Sequence, residues 1–204
     1  MSDGRAGVPT GSTRTGTRRA ASAAKLMVAW VALLWIIEGI DQLAGNPLDD
    51  YGITAREPDG LSGILAAPFL HIGWDHLVAN SLPLLVLGFL TALGGIGRFL
   101  AVSAVIIVAS GFGVWLLSPP HTLTVGASGL VFGLFGYLLV RGFVERNPVS
   151  ITVGMLIALY WGGSFVMGLS PTAGISWQAH LFGLLAGIAA AVLIRAPGAG
   201  RPAR

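Results

Sequence analysis

Six stretches of continuous apolar residues, separated by polar segments, organise the chain: 25–44, 74–93, 97–117, 126–143, 149–169 and 175–195. Each is close to the roughly 20 residues that a helix needs to cross the ~30 Å hydrocarbon core of a bilayer. A membrane β-barrel would instead show segments of about ten residues with alternating apolar and polar positions. The runs here are unbroken, so the predicted elements are membrane-spanning helices. The fourth is short when counted from Gly126. A long polar loop, 45–73, separates the first two spans and carries Asp49, Asp50, Arg56, Glu57 and Asp59. Its later part, Leu61 to Leu70, is apolar enough to lie at the membrane interface. Residues 1–24 are rich in Gly, Ser, Thr, Ala and Arg and have no apolar run, which predicts a disordered cytoplasmic tail. The predicted organisation is that tail, one membrane domain over 25–195, and a second cytoplasmic tail over 196–204. The first apolar run is long and ends in no clear small-residue cleavage site, so it is expected to be retained rather than removed as a signal peptide.

Composition supports the bilayer as the solvent of this fold. Only 10% of the 204 residues are charged, 54% are hydrophobic and the mean hydropathy is +0.78. A soluble domain carries about 25% charged residues. The 30 glycines suit close helix–helix approach in a membrane. With six spans and both termini inside, eleven of the twelve Lys and Arg residues fall on the inner side, leaving Arg56 outside. The positive-inside rule then predicts an N-in/C-in topology. The net charge of +3 is explained by these tails and loops, and no nucleic-acid partner is expected. The chain has no cysteine, which excludes disulfides, thiol nucleophiles and Cys-ligated metal.

Polar groups at membrane depth are costly and mark candidate chemistry. On this topology the second, fourth and sixth spans run from outside to inside. The second begins with His76, followed one turn deeper by Asn80. The fourth begins with Gly126-Ala127-Ser128-Gly129, and the sixth carries His180 about one and a half turns from its outer end. All three positions fall at similar depth near the outer face. A serine hydroxyl becomes a nucleophile when an adjacent base takes its proton, and neutral imidazole is the usual base. Ser128 and His180 form such a pair if the fourth and sixth spans touch. Gly129 and Gly133 on one span, and Gly183 and Gly187 on the other, have the small-xxx-small spacing that permits it. Ser128 would sit at a helix N-terminus, where unpaired N–H groups favour a developing oxyanion. Asn80 and His76 are four residues apart, share one helix face, and are candidate further donors.

These motifs together resemble the rhomboid family of intramembrane serine proteases. His71-Ile-Gly-Trp-Asp-His76-Leu-Val-Ala-Asn80 is similar to its pattern of two spaced histidines and an asparagine. Gly126-Ala-Ser128-Gly129 resembles its GxSG nucleophile motif, and Ala179-His180-Leu-Phe-Gly183-Leu-Leu-Ala-Gly187 its AHxxGxxxG motif. The resemblance covers about residues 61–195. It implies an all-α, six-transmembrane-helix bundle, a Ser128–His180 dyad without an acidic third member, and an oxyanion hole of Asn80, His76 and the Ser128 backbone N–H. It also implies a water-filled cavity open to the outer face. Single-span membrane proteins, cut in or near the outer part of the bilayer, would be the substrates. Two departures stand out. Phe132 occupies the position of a tyrosine that stacks on the histidine in well-studied bacterial members, and the first loop lacks the Trp-Arg pair of some members.

Other readings remain open at this point. Ser128 as a small packing residue and His180 as interhelical glue would leave a catalytically silent protein that binds membrane clients. A small transporter would use Glu38 or the histidines. His71 is expected to brace the loop, His121 to lie on the surface, and Glu38 and Asp41 to be paired structural acids at the outer end of the first span. Trp74, Trp115 and Trp177 are expected at the outer boundary, with Trp177 and Gln178 shaping a gate before His180. No HExxH spacing appears, and neither metal nor organic cofactor is expected. The expected partners are transmembrane substrates and membrane lipids, and the expected location is the plasma membrane with the site facing outside.

Overall fold

The structure is a computed structural model that describes residues 10–172 and 174–194. It is mostly helical. The helices are α1 (Thr10–Ala44), a short α2 (Gly63–Ala66), α3 (Trp74–Ala92), α4 (Ile96–Leu117), α5 (Ser128–Glu145), α6 (Pro148–Gly168) and α7 (Trp177–Leu193). Five of them, α1, α3, α4, α5 and α6, are long and apolar enough to cross a membrane. The sixth apolar helix, α7, has 17 residues. The helix limits agree with the hydropathy limits to within about two residues at every end but one. That end is the start of α1. Residues 10–24, expected to be disordered, continue the first helix outward to Thr10. Once a helix has formed, each further residue adds one hydrogen bond without a new nucleation cost, so a polar, alanine-containing stretch prolongs it readily. Residues 1–9 of the expected amino tail, and the whole of the expected carboxyl tail, 196–204, lie outside the described residues.

The bundle is built around α5. Every residue from Gly129 to Leu138 on that helix is buried. Helices α3, α4, α6 and α7 pack on it, and α1 packs on α3. Small residues set the spacing. A Cβ added at Gly88 of α3 would collide with Met27 of α1, and one at Gly113 of α4 would collide with Phe182 of α7. The α5–α6 connection is tight: Arg146 adopts a left-handed conformation, Asn147 caps α6 through Ser150 N–H at 3.0 Å, and Pro148 opens that helix.

The long first loop is folded and stitched to the segment that leads into α5. Strand β1 (Ile53–Thr54) pairs antiparallel with β2 (Leu123–Thr124), Ile53 opposite Thr124. Trp115 donates its indole N–H to the Glu57 carbonyl at 2.7 Å, and the Arg56 N–H reaches the Trp115 carbonyl at 3.0 Å. The apolar part of the loop forms α2, with Gly63 and Ile64 buried and Leu61 and Leu65 exposed. Glu38 and Asp41 are buried and paired locally. Gln42 donates to Glu38 Oε1 at 2.9 Å, and the Leu48 N–H donates to Asp41 Oδ1 at 2.7 Å. His121 is exposed and lies 2.7 Å from Glu57 Oε1.

Candidate active site

A cavity of about 1060 Å³ opens at the end of the bundle where α5 begins. Ser128, His76, Asn80, Phe132 and His180 all line it. Three helices therefore bring the singled-out polar residues to one chamber. Trp177 and Gln178 also line it, as does Gly168 at the end of α6.

Ser128 is the first residue of α5. The turn that presents it depends on Gly126, whose φ of +120° is rarely open to a residue with a side chain. A Cβ there would also lie 2.5 Å from His76 Cε1 and 2.7 Å from its Nε2, so the glycine lets that imidazole rest against the turn. Two further bonds hold the turn. Gly126 N–H donates to the Ala67 carbonyl at 2.8 Å, and Ala127 N–H donates to His71 Nε2 at 3.3 Å. His71 thus braces the turn that leads into Ser128, while its buried Nδ1 has no hydrogen-bond partner among the described residues. It lies in the segment before α3. Burial, with the neighbouring His76 a lesser cause, pushes its imidazole down to about 3. It is therefore neutral, as an acceptor of a backbone N–H must be.

His180, on the second turn-face of α7, is 7% exposed. Its ring stacks on Phe132 with centroids 4.0 Å apart and an interplanar angle of 4°. Its Nδ1 is 2.7 Å from the Gly168 carbonyl. A carbonyl only accepts, so Nδ1 carries the proton and Nε2 is the basic nitrogen of the neutral ring. Among the described residues no hydrogen bond joins Ser128 Oγ to His180, so the two share a cavity without a direct bond. Such contacts are often loose in the substrate-free state and tighten on binding. Asn80, 5% exposed, donates one amide hydrogen to the His76 carbonyl at 2.9 Å, which leaves its second amide hydrogen.

The contact between α5 and α7 is as close as backbones allow. A Cβ on Gly183 would collide with the Gly129 carbonyl oxygen, and one on Gly187 with that of Gly133. Gly129 itself faces Ser110 Oγ and the Ala179 carbonyl. The predicted contact between these two helices is therefore present, made by the predicted glycines. The sequence reading missed Gly168, whose carbonyl orients His180, and the α6 wall of Trp161, Ser164 and Phe165. Phe165 packs on Phe132 at 4.4 Å between centroids, so α6 backs the stack on the histidine. Its apolar pattern gave no cue that it faces the chamber. Among the described residues no group of three or more His, Cys, Asp or Glu side chains could hold a metal ion.

A family model described as the Rhomboid domain matches residues 58–197. The chain is 42% identical over 204 residues to Uncharacterized protein Rv1337 of Mycobacterium tuberculosis, covering 93% of this chain and 85% of that protein. It is 42% identical over 180 residues to Uncharacterized protein ML1171 of Mycobacterium leprae, covering 84% of this chain and 71% of the other. It is also similar to Rhomboid protease GluP of Bacillus subtilis, at 30% identity over 142 residues, which is 67% of this chain and 27% of that protein.

Proposed function

This chain belongs to the rhomboid family, and from that premise we propose that it is an intramembrane serine endopeptidase whose nucleophile is Ser128 and whose base is His180. The observation that carries the reading is the 2.7 Å contact of His180 Nδ1 with the Gly168 carbonyl. The Gly168 carbonyl accepts the Nδ1–H, which leaves Nε2 as the basic nitrogen of a ring that lines the same cavity as Ser128. In a Ser-His-Asp triad a carboxylate performs this orienting task. Here a main-chain carbonyl and the Phe132 stack perform it.

Ser128 Oγ attacks the scissile carbonyl as its proton passes to His180 Nε2. The oxyanion forms at the N-terminus of α5, beside the Ser128 N–H, with the remaining Asn80 amide hydrogen and His76 as further donors. His180 then protonates the departing amine, and an acyl-enzyme on Ser128 remains. Water in the cavity, deprotonated by His180, releases the second fragment.

The protein is an integral multi-pass membrane protein. In the proposed topology α7 is the sixth span and both termini are inside, so the cavity faces the cell exterior. The rise from Arg141 to Ser128 along α5 is about 20 Å. With Arg141 at the inner boundary of a ~30 Å core, Ser128 lies about 10 Å below the outer one. Substrates are single-span proteins that unwind locally to enter the chamber. Helices α3 and α6 both pack on α5 and scarcely touch each other, so the lipid side between them is the proposed route of entry.

Co-expression with a panel of tagged single-span proteins tests the reading, comparing wild type with Ser128→Ala. New fragments that vanish in the variant support it. A fluorophosphonate probe should label the wild type and not Ser128→Ala. Absence of both signals in folded protein would favour a silent client-binding member of the family, and solute flux indifferent to Ser128→Ala would favour a transporter.

A further inference from the structure

At the opposite end of the bundle, a second cavity of about 200 Å³ lies where the ends of α3 and α5 meet the start of α6. Its walls are Leu90 of α3, Leu93 and Gly94 just after that helix, Leu138 of α5, and Val149, Ser150 and Val153 of α6, and the charged side chain among them is Arg141. Val149, at 73% exposed, marks the mouth. We propose that this cavity binds the phosphate of an anionic phospholipid, with Arg141 as its counter-charge and the apolar walls taking the glycerol and the start of the acyl chains.

The charge arrangement carries the argument. Glu145 Oε1 accepts a hydrogen bond from Arg98 Nη1 at 2.6 Å. Glu145 Oε2 is 3.9 Å from Arg141 Nε, too far for a hydrogen bond, and that buried Nε has no acceptor among the described residues. Two guanidiniums thus share one carboxylate, and these three groups sum to one positive charge. The Arg141 guanidinium also lies 5.6 Å from the centre of the Tyr137 ring, and its side chain is 14% exposed. A charge so placed, against apolar walls, is costly unless an anion completes it. Guanidinium binds phosphate oxygens through paired donors.

The surroundings select a lipid over a soluble anion. Beyond Arg141 and the Ser150 hydroxyl, the five aliphatic side chains offer a free phosphate nothing, but they suit the glycerol and first methylenes of a phospholipid. The space equals about seven water molecules in the liquid, enough for the phosphate and glycerol and too small for whole tails. Arg141 is one turn inside the end of α5, about 6 Å along the axis, near the depth of headgroup phosphates. Because α3 and α6 scarcely meet, the tails can leave between them toward the bilayer. A zwitterionic lipid brings its own cation to a site that already carries one, so an anionic headgroup is preferred. The inference needs no catalytic role for Ser128. On the N-in topology proposed above, the lipid belongs to the inner leaflet.

The test uses the full chain in neutral detergent, with phosphatidylglycerol and phosphatidylcholine of identical acyl chains. Native mass spectrometry counts bound lipid, and the thermal midpoint is followed in parallel. The wild type should retain one phosphatidylglycerol where phosphatidylcholine dissociates. Arg141→Gln should weaken that binding by about ten-fold to a hundred-fold, the range of one charge-assisted contact. Arg141→Lys should fall between the two. Val149→Trp, which fills the mouth and leaves the Arg98–Glu145 pair alone, should also abolish retention, and it carries the test if Arg141→Gln fails to fold. Equal retention of the two lipids would overturn the proposal. So would phosphatidylglycerol binding indifferent to both Arg141→Gln and Val149→Trp. Competition by inorganic phosphate at the lipid's own concentration would assign a soluble-phosphate site and overturn the lipid.

Discussion

Adding one methyl group at Gly183 should disable cleavage while helix propensity pushes the other way. The Cβ would lie 2.9 Å from the Gly129 carbonyl carbon and 3.2 Å from its Cα, with the carbonyl oxygen closer still. Ordinary contact starts near 3.4 Å, and the obstacle is backbone, so no side chain can swing aside. Helices α5 and α7 must separate by about 1 Å or more, since carbon–carbon contacts settle at roughly 3.5–4.0 Å. Ser128 is the residue before Gly129 and His180 lies one turn before Gly183, so the separation acts on both candidate catalytic groups. A misplacement of about 1 Å costs on the order of a hundred-fold in rate.

Stability gives an independent sign. Alanine in place of a helical glycine stabilises by about 1 kcal/mol from propensity alone, whereas overpacking costs about 1–3 kcal/mol. Gly183→Ala should therefore show a lower thermal midpoint in detergent and about a hundred-fold slower cleavage of a tagged single-span substrate. Gly162→Ala and Gly163→Ala on α6 are the controls, because a Cβ at either position meets nothing within 4 Å. They should keep wild-type cleavage and a midpoint at or above wild type. Wild-type cleavage and an unchanged midpoint in Gly183→Ala would refute the reasoning.

Four further outcomes are expected. Asn80→Ala should lower kcat about a hundred-fold with little change in KM, the pattern of a donor used in the transition state, and an unchanged kcat in steady-state assays would remove Asn80 from the oxyanion site. Gly168→Ala puts a Cβ 2.6 Å from Phe132 Cζ and 3.3 Å from His180 Nδ1, so fluorophosphonate labelling should slow at least ten-fold; labelling at the wild-type rate would free His180 from that carbonyl. Arg98 and Glu145 side chains are 11% and 8% exposed, so Arg98→Ala should cost about 3 kcal/mol and Arg98→Ala/Glu145→Ala less, measured as thermal midpoints; additive losses would deny the coupling. The fourth concerns pH. His71 titrates near 6.5 when unfolded and near 3 when folded, so the unfolded chain binds the extra proton and stability falls as pH drops from 6.5 toward 3. Asp49, raised to about 6 by burial and then by Asp41, Glu38 and Asp50, acts oppositely: its ionisation costs stability above about pH 6, and the cost is relieved as pH falls toward 3.8. Asp49→Asn should thus raise the midpoint at pH 8, by under about 1 kcal/mol for a partly solvated group, and steepen the loss between pH 6 and 4; an unchanged pH profile of the midpoint would contradict this.

What could be read from the sequence follows from where each interaction keeps its information. Burial of a span in lipid is a property of side chains summed over about twenty residues, so hydropathy located α7 and the five helices long and apolar enough to cross a membrane. The start of α1 was misplaced for the converse reason: polarity excludes a stretch from the bilayer but does not forbid helix, and the residues from Thr10 onward simply prolong one. Glycine spacing on α5 and α7 named the correct contact, because two backbones approach to carbonyl distance only where both lack Cβ atoms. The partners of His180 were legible only in part. The Phe132 stack was expected from the family resemblance, which places an aromatic side chain four residues after Ser128, and it is present. The Gly168 acceptor is a main-chain oxygen, which every residue carries and no residue type announces. Its availability comes from its place at the last turn of α6, where carbonyls lack helical donors. A triad carboxylate can be deleted by one substitution. This carbonyl can only be displaced, so the orientation of His180 is tied to how α6 ends against Phe132, and changes in that helix end act on the candidate base without touching a titratable residue.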